Sequence, residues 1–166
     1  MARALVIVDV QNGFVNEKNR HAILRIKQLL DANKFGHVLF TKFVNKTNSP
    51  YQRILEWYKL TGPPETNIVS ELQPYAKTVF EKSIYSIFTP EFVTYLEKNK
   101  ISELYIAGID TECCVLKIAV DAFERGYKPY VLAFYCASHS DPSFHEAGLK
   151  LLEKFIGKKQ IIREEI

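Results

Sequence analysis

Short apolar runs rich in β-branched residues alternate with amphipathic segments, with a repeat of about 25 residues. The first run, residues 4–8, consists of five consecutive apolar residues. Unbroken runs of this kind are typical of strands that are covered on both faces of a sheet. Five further strands are predicted at residues 37–41, 78–80, 104–107, 129–133 and, more weakly, 160–163.

Between these runs, apolar residues recur at the spacing of one helix face. Three such sets are Ala22, Ile26, Leu29 and Leu30; Val115, Ile118, Ala119 and Ala122; and Leu149, Leu152, Phe155 and Ile156. Ser49, Thr89 and Asp141 each precede a proline, a pattern typical of helix N-caps. The alternation predicts an α/β fold of three layers, with helices on both faces of a doubly wound, mostly parallel six-stranded sheet. We assign it the common Rossmann-like strand order 3-2-1-4-5-6.

The chain length of 166 residues fits a single domain spanning residues 1–166. One connection, residues 44–77, contains no strong strand but carries Tyr51, Trp57 and Tyr58. A connection this long and aromatic predicts either a lid over a pocket or part of an oligomer interface. A helix packed on the sheet and followed by a loose tail is an equally good interpretation.

Composition narrows the possible partners. Lys and Arg number 22 against 19 Asp and Glu, a net charge of +3, and no dense basic run suggests nucleic-acid binding. Three cysteines are too few for a disulfide framework, which favours a reducing, cytoplasmic location. The apolar run at residues 4–8 is too short for a signal peptide, and no run suits a membrane span. We expect a small-molecule substrate, with neither nucleic acid nor membrane as a partner.

Ligands of doubly wound sheets bind beyond the carboxyl ends of the strands, where the strand order reverses. Here that crevice lies between the first strand, which Asp9 follows, and the fourth, after which residues 108–115 open a helix. If Thr111 is the N-cap, Cys114 is the third helical residue, and the helix dipole lowers the pKa of its thiol. The free amides of the first turn can bind an oxyanion, and Asp9 can accept the thiol proton. The pattern therefore indicates a cysteine hydrolase with a carboxylate base.

Three motifs, spread over most of the chain, carry a family resemblance. They are D-V-Q-N-G-F at residues 9–14, K-S-I-Y-S-I-F at 82–88 and G-I-D-T-E-C-C-V at 108–115, the last followed by A-V-D-A at 119–122 and G-Y at 126–127. Together they resemble the isochorismatase-like cysteine hydrolases, which include nicotinamidases and N-carbamoylsarcosine amidohydrolases. The resemblance implies a catalytic triad of Asp9, Lys82 and Cys114. It also implies a cis peptide between Ile109 and Asp110, with the amides of Asp110 and Cys114 forming an oxyanion hole.

The chain departs from the nicotinamidase pattern where those enzymes carry a D-x-H-x-x-x-x-x-H metal set. The equivalent stretch, residues 41–49, reads T-K-F-V-N-K-T-N-S and contains neither histidine nor aspartate. The histidines at positions 21, 37, 139 and 145 show no ligand spacing on one element. We therefore expect no metal, no cofactor and no nicotinamidase activity. Where the family often has an aspartate after the fifth strand, residues 134–138 carry an aromatic residue, which leaves the substrate open.

Other side chains near the predicted crevice also have predicted roles. Substrate contacts are predicted for Gln11, Phe14, Phe43, Trp57 and Tyr85. We interpret Cys113 as a packing residue and Cys136 as part of the core. Because the predicted order places the strand of Lys82 two positions from the first strand, about 10 Å away, a loop and the long side chain must bring its ammonium back.

Taken together, the sequence predicts a metal-independent cysteine hydrolase that cleaves the C–N bond of a small amide or carbamoyl compound through an acyl-cysteine. One alternative is hydrolysis of a vinyl ether, as in isochorismatases, which needs no acyl-cysteine. Another is a non-catalytic binding protein on the same fold, and a weaker one is a redox sensor at the adjacent Cys113 and Cys114. The resemblance also implies a homo-oligomer, either a dimer or a tetramer.

Overall fold

The computed structural model describes residues 2–166, within which six strands and five α-helices follow one another. The strands are β1 (Ala2–Val8), β2 (His37–Phe43), β3 (Val79–Lys82), β4 (Ile101–Ile109), β5 (Lys128–Ala137) and β6 (Ile161–Ile162). The helices are α1 (Arg20–Asp31), α2 (Pro50–Arg53), α3 (Pro90–Lys98), α4 (Leu116–Glu124) and α5 (Pro142–Ile156).

The strands form one sheet in the order β3-β2-β1-β4-β5-β6, and every neighbouring pair is parallel. This confirms the predicted order, and the sheet is entirely rather than mostly parallel. The carboxyl ends of all strands therefore lie along one edge, with the reversal of strand order between β1 and β4.

The two faces of the sheet bury separate sets of side chains. Ala4, Val6 and Val8 of β1 pack in one cluster with apolar residues of α3, α4 and α5. Leu5 and Ile7 pack in the other cluster, with the apolar face of α1. Because successive strand residues point to opposite faces, an unbroken apolar run is what a two-sided core requires. None of the helices within residues 2–166 is both long and apolar enough to cross a bilayer.

The predicted helix starts at proline are confirmed. The side chains of Ser49, Thr89 and Asp141 accept hydrogen bonds from the backbone amides of Gln52, Phe92 and Ser143, respectively. Each bond satisfies one of the donors that a helix N-terminus leaves without an intrahelical partner.

The long connection between β2 and β3 is mostly irregular. Its helix α2 has only four residues, and a short 3₁₀ turn, Gln73–Tyr75, precedes β3. Gln11 and Ile68 form a single antiparallel bridge that ties this connection to the end of β1. Tyr51 and Leu60 are buried against Phe43. The connection therefore contacts the carboxyl ends of β1 and β2.

Candidate active site

Asp9 directly follows β1 and adopts a left-handed backbone conformation, with φ of +48°. Thr41 holds it there through two hydrogen bonds. Its Oγ1 accepts from the Asp9 amide at 3.1 Å and donates to Asp9 Oδ1 at 2.6 Å. Since Asp9 is fully buried, these bonds fix the direction of its carboxylate. The sequence reasoning missed Thr41, although a polar residue near the carboxyl end of the neighbouring strand was the available signal.

Lys82 is the last residue of β3, and its side chain crosses the end of β2 to reach Asp9. Its Nζ lies 2.7 Å from Asp9 Oδ2 and 3.3 Å from Cys114 Sγ, and it donates to the Ile84 carbonyl at 3.1 Å. The Phe43 ring centroid lies 5.2 Å from the same ammonium group. All three donors of the ammonium therefore have partners in the protein, and the predicted approach of Lys82 to the first strand is confirmed.

Cys114 lies on a π-helical turn, Thr111–Val115, that leads from β4 into α4. Gly108, with φ of +122°, is needed just before it, because a Cβ there would lie 2.3 Å from the Val8 carbonyl oxygen. The peptide between Ile109 and Asp110 is cis, which confirms the prediction from the family resemblance.

The start of this turn differs from the prediction. Asp110, not Thr111, is the N-cap, so Cys114 is the fourth residue of the turn. The Asp110 carbonyl accepts from the amides of Cys113 and Val115, and the Thr111 hydroxyl pairs with His145 Nδ1 at 2.7 Å.

Burial and the charges of the site keep the Cys114 thiol protonated before substrate binds. Burial raises the pKa of the Cys114 thiol well above its usual value, the Asp9 carboxylate raises it further, and Lys82 opposes both. The predicted lowering of this pKa by a helix terminus is therefore wrong, because burial and the adjacent carboxylate outweigh it. Burial alone would lower the pKa of Lys82, but Asp9 and Cys114 raise it. At neutral pH the Cys114 thiol and the Lys82 ammonium therefore both lie beside Asp9.

A cavity of about 550 Å³, including its solvent-open mouth, leads to Cys114. Four of the predicted substrate contacts, Phe14, Phe43, Trp57 and Tyr85, line it, and Tyr51 and Leu55 complete its apolar wall. The rings of Phe14 and Trp57 stack with centroids 6.1 Å apart. An aromatic and aliphatic wall of this kind suits a small, largely apolar group.

Gln11, the fifth predicted contact, is fully buried and does not line the cavity. Its Nε2 donates to the carbonyls of Phe43 and Thr66, both at 2.9 Å, and its Oε1 accepts from the Phe43 amide at 2.7 Å. Because backbone groups occupy its amide, Gln11 holds Phe43 and the β2–β3 connection in place.

Cys113 was predicted to be a packing residue, but it lines the cavity beside Cys114. Burial raises the pKa of its thiol to about 12, with Asp110 and Glu112 adding to the effect. Cys136 is buried in the core of β5, as predicted.

Asp110 and His139 form a polar pair in the cavity wall that the sequence reasoning did not identify. Asp110 Oδ1 accepts from the His139 amide at 2.8 Å, and Oδ2 contacts His139 Nδ1. Both residues lie just beyond the carboxyl ends of neighbouring strands, β4 and β5. That shared position was the signal from which the pair could have been predicted.

The residues at the position of the nicotinamidase metal set do not fit a divalent metal. Thr41 is bonded to Asp9, and the Asn45 side chain donates to the carbonyls of Trp57 and Lys59 and accepts from Ser49. Within residues 2–166, one group of carboxyl and thiol side chains is compact enough to share an ion, namely Asp110, Glu112 and Cys113. His139 and Ser138 already bond its two carboxylates, which argues against a metal there.

Comparison with known proteins gives the family of this chain. The Isochorismatase domain family matches residues 3–159. Isochorismatase family protein 1B of Dictyostelium discoideum is 26% identical over 83% of this chain, which spans only 64% of that relative's length. Nicotinamidase PncA from Bacillus subtilis superposes with a TM-score of 0.83 at 27% identity, covering 98% of this chain and 100% of its own. N-carbamoylsarcosine amidase from Thermoplasma acidophilum shares the fold, with a TM-score of 0.78 at 24% identity over 92% of this chain and 93% of its own.

Proposed function

Because this chain belongs to the isochorismatase family, we propose that it is a metal-independent cysteine hydrolase acting on the C–N bond of a small amide or carbamoyl compound. One observation carries the proposal: the Asp9 carboxylate, the Lys82 ammonium and the Cys114 thiol are in contact, buried, at the base of an apolar cavity. The similarity to a protein named as a nicotinamidase supports amide chemistry.

In the proposed first step, Asp9 takes the Sγ proton of Cys114 while the sulfur attacks the substrate carbonyl carbon. Since the pKa of the thiol is raised, proton transfer must accompany attack and not precede it. The carbonyl π electrons move onto oxygen, and the amides of Asp110 and Cys114 bind the resulting oxyanion. Lys82 balances the negative charge as it moves between Asp9 and the sulfur.

In the second step, Asp9 gives its proton to the leaving nitrogen, the C–N bond breaks and an acyl-cysteine remains. Water entering through the mouth of the cavity then loses a proton to Asp9 and attacks the thioester carbonyl. Cleavage of the C–S bond releases the acid, and the proton returns to Cys114.

The proposal is tested by a screen of small amides, carbamoyl compounds and isochorismate, each with a metal chelator present. We expect Cys114→Ala and Asp9→Asn to abolish turnover while both proteins stay folded. Cys136→Ala, which changes a core thiol outside the cavity, is the matched control and should stay active. Full activity in Cys114→Ala would contradict the mechanism, and loss of activity on chelation that Zn²⁺ restores would contradict metal independence.

Intact-mass measurement during turnover separates C–N cleavage from the vinyl-ether alternative. Amide hydrolysis should add the mass of the acyl group to the wild-type protein and not to Cys114→Ala. Turnover of isochorismate without such an adduct would favour the vinyl-ether reaction. A folded protein that binds compounds from the screen but turns none over would favour a binding role.

A further inference from the structure

The proposed reaction leaves one pair of polar side chains in the cavity wall without a role. The backbone amide of Asp110 is assigned to the oxyanion, but its carboxylate is bonded to the amide and ring of His139. The Asp110 side chain is only 5% exposed, whereas that of His139 is 42% exposed. A buried carboxylate therefore holds Nδ1 of an imidazole that is itself partly exposed.

This arrangement determines which ring nitrogen of His139 carries a proton. Opposite a carboxylate, Nδ1 must be the donor, so the second proton of the imidazolium resides on Nε2. No hydrogen bond joins Nε2 to any group in the described residues 2–166. The nitrogen is thus free to bind a ligand in the cavity.

The groups that face His139 favour the imidazolium form. The hydrogen bond to Asp110 raises the pKa of His139, burial lowers it, Glu112 raises it and Lys59 lowers it. The Phe14 ring, with its centroid 5.9 Å from that of the imidazole, is uncharged. Asp110 thus increases the fraction of His139 that presents an Nε2–H donor at neutral pH.

The rest of the wall offers little competition for a negatively charged group. Apart from Asp110, His139 and the thiols of Cys113 and Cys114, it consists of aromatic and aliphatic side chains. Their polar groups, the hydroxyls of Tyr51 and Tyr85 and the indole N–H of Trp57, are all neutral. The ammonium of Lys82 is fully buried and already has three partners. A ligand carboxylate in the cavity would therefore meet its best partner in His139 Nε2–H, through a charge-assisted hydrogen bond.

We propose that the Asp110–His139 pair selects a small amide substrate that bears a carboxylate, and that His139 Nε2–H binds this carboxylate. His139 is then a substrate-binding residue, and Asp110 is its positioning residue. The inference rests on the proposed function in one respect, because that function places the amide carbonyl at Cys114.

Binding to the inactive Cys114→Ala protein tests this without turnover. Three matched pairs of probes each replace a carboxylate by a neutral amide: 3-carbamoylbenzoate and isophthalamide, 4-carbamoylbenzoate and terephthalamide, succinamate and succinamide. By calorimetry at pH 6.5, at least one carboxylate should bind about ten- to a hundredfold more tightly than its partner. The preference should fall below about threefold when His139→Phe, which keeps an aromatic ring beside Phe14, or His139→Gln is added. His21→Phe, which removes an imidazole outside this cavity, should retain it.

The positioning role of Asp110 predicts a shift along the pH axis. The ring resonances of His139, identified by their absence in His139→Phe, should titrate above pH 6.5 in the wild-type protein and at lower pH in Asp110→Asn. The preference for the carboxylate probe should weaken above the same midpoint in each protein. A merely structural role for Asp110 would leave both midpoints where they are.

The outcomes separate this inference from the proposed function. Carboxylate preference in Cys114→Ala without turnover by the wild-type protein would support the inference and contradict the hydrolase. Turnover of amides without any preference, or a preference that survives both His139 substitutions, would overturn the inference alone. If no pair binds and no probe moves the His139 resonances, the inference is also overturned.

Discussion

Replacing Lys82 by methionine tests whether the contact between Lys82 and Asp9 is a true buried ion pair. Both side chains are 0% exposed, and Nζ lies 2.7 Å from Oδ2. Methionine keeps most of the volume but leaves the Asp9 carboxylate without its counter-charge, where water cannot replace it. Removing one partner of a buried pair typically costs about 3–5 kcal/mol, so we expect a loss of that size in the free energy of unfolding.

The double variant Asp9→Asn, Lys82→Met should recover much of this loss. It removes both charges, and the amide oxygen of asparagine can still accept the hydrogen bond that the Thr41 hydroxyl donates. Urea unfolding of the wild-type protein, both single variants and the double variant at pH 7 gives the coupling energy, which we expect to be about 2 kcal/mol or more. Lys27→Met is the matched control: it breaks an exposed pair with Asp31 and should change stability little. A loss below about 1 kcal/mol for Lys82→Met, or additive single variants, would refute the reasoning.

Two further predictions concern residues that no motif identified. Thr41→Val removes both hydrogen bonds to Asp9 and should lower kcat about ten- to a hundredfold. The control Thr41→Ser should stay within a few-fold of the wild-type kcat. Equal kcat values for the two variants in steady-state assays would contradict this prediction. Gly148→Ala would place a Cβ 2.9 Å from the backbone of Glu112, so the turn that carries Cys114 must shift. We expect the free energy of unfolding, measured in urea, to fall by about 1–3 kcal/mol and the activity to fall with it. The control Gly36→Ala, where a Cβ would meet nothing within 4 Å, should change neither quantity. A Gly148→Ala protein with unchanged stability and activity would show that the turn is not tightly packed.

The fold could be predicted because its signals are local. Apolar runs, helix faces and proline caps each lie within one element, and a parallel sheet follows from their alternation. The lengths of the strands and helices are harder to predict from the sequence. β4 runs from Ile101 to Ile109, nine residues against the four predicted, because it also includes Ser102 and Glu103 near its start and Gly108 near its end. Pairing with β1 and β5 supports these residues, and an apolar run cannot reveal that.

The site residues could be predicted from the sequence only in part, and for a different reason. Asp9, Lys82 and Cys114 were identified through motifs of a known family, and spacing alone could not show that Lys82 reaches across β2. Thr41 and the Asp110–His139 pair were missed because each contact joins different strand ends, 32 and 29 residues apart. The error in the pKa of Cys114 has a similar origin, since the position of a helix start says nothing about burial or about a carboxylate brought by another strand.

The residues on the two sides of the crevice have different roles. β2 and β5 flank the central pair β1 and β4, so their carboxyl ends lie on opposite sides of Cys114. On the β2 side, Thr41 orients Asp9, Phe43 packs beneath the Lys82 ammonium, and Asn45 secures the connection that follows. These tasks occupy the polar groups at the position where nicotinamidases carry metal ligands. The proposed substrate recognition is then assigned to the other side, where His139, after β5, lines the cavity and its Nε2 has no hydrogen-bond partner within residues 2–166.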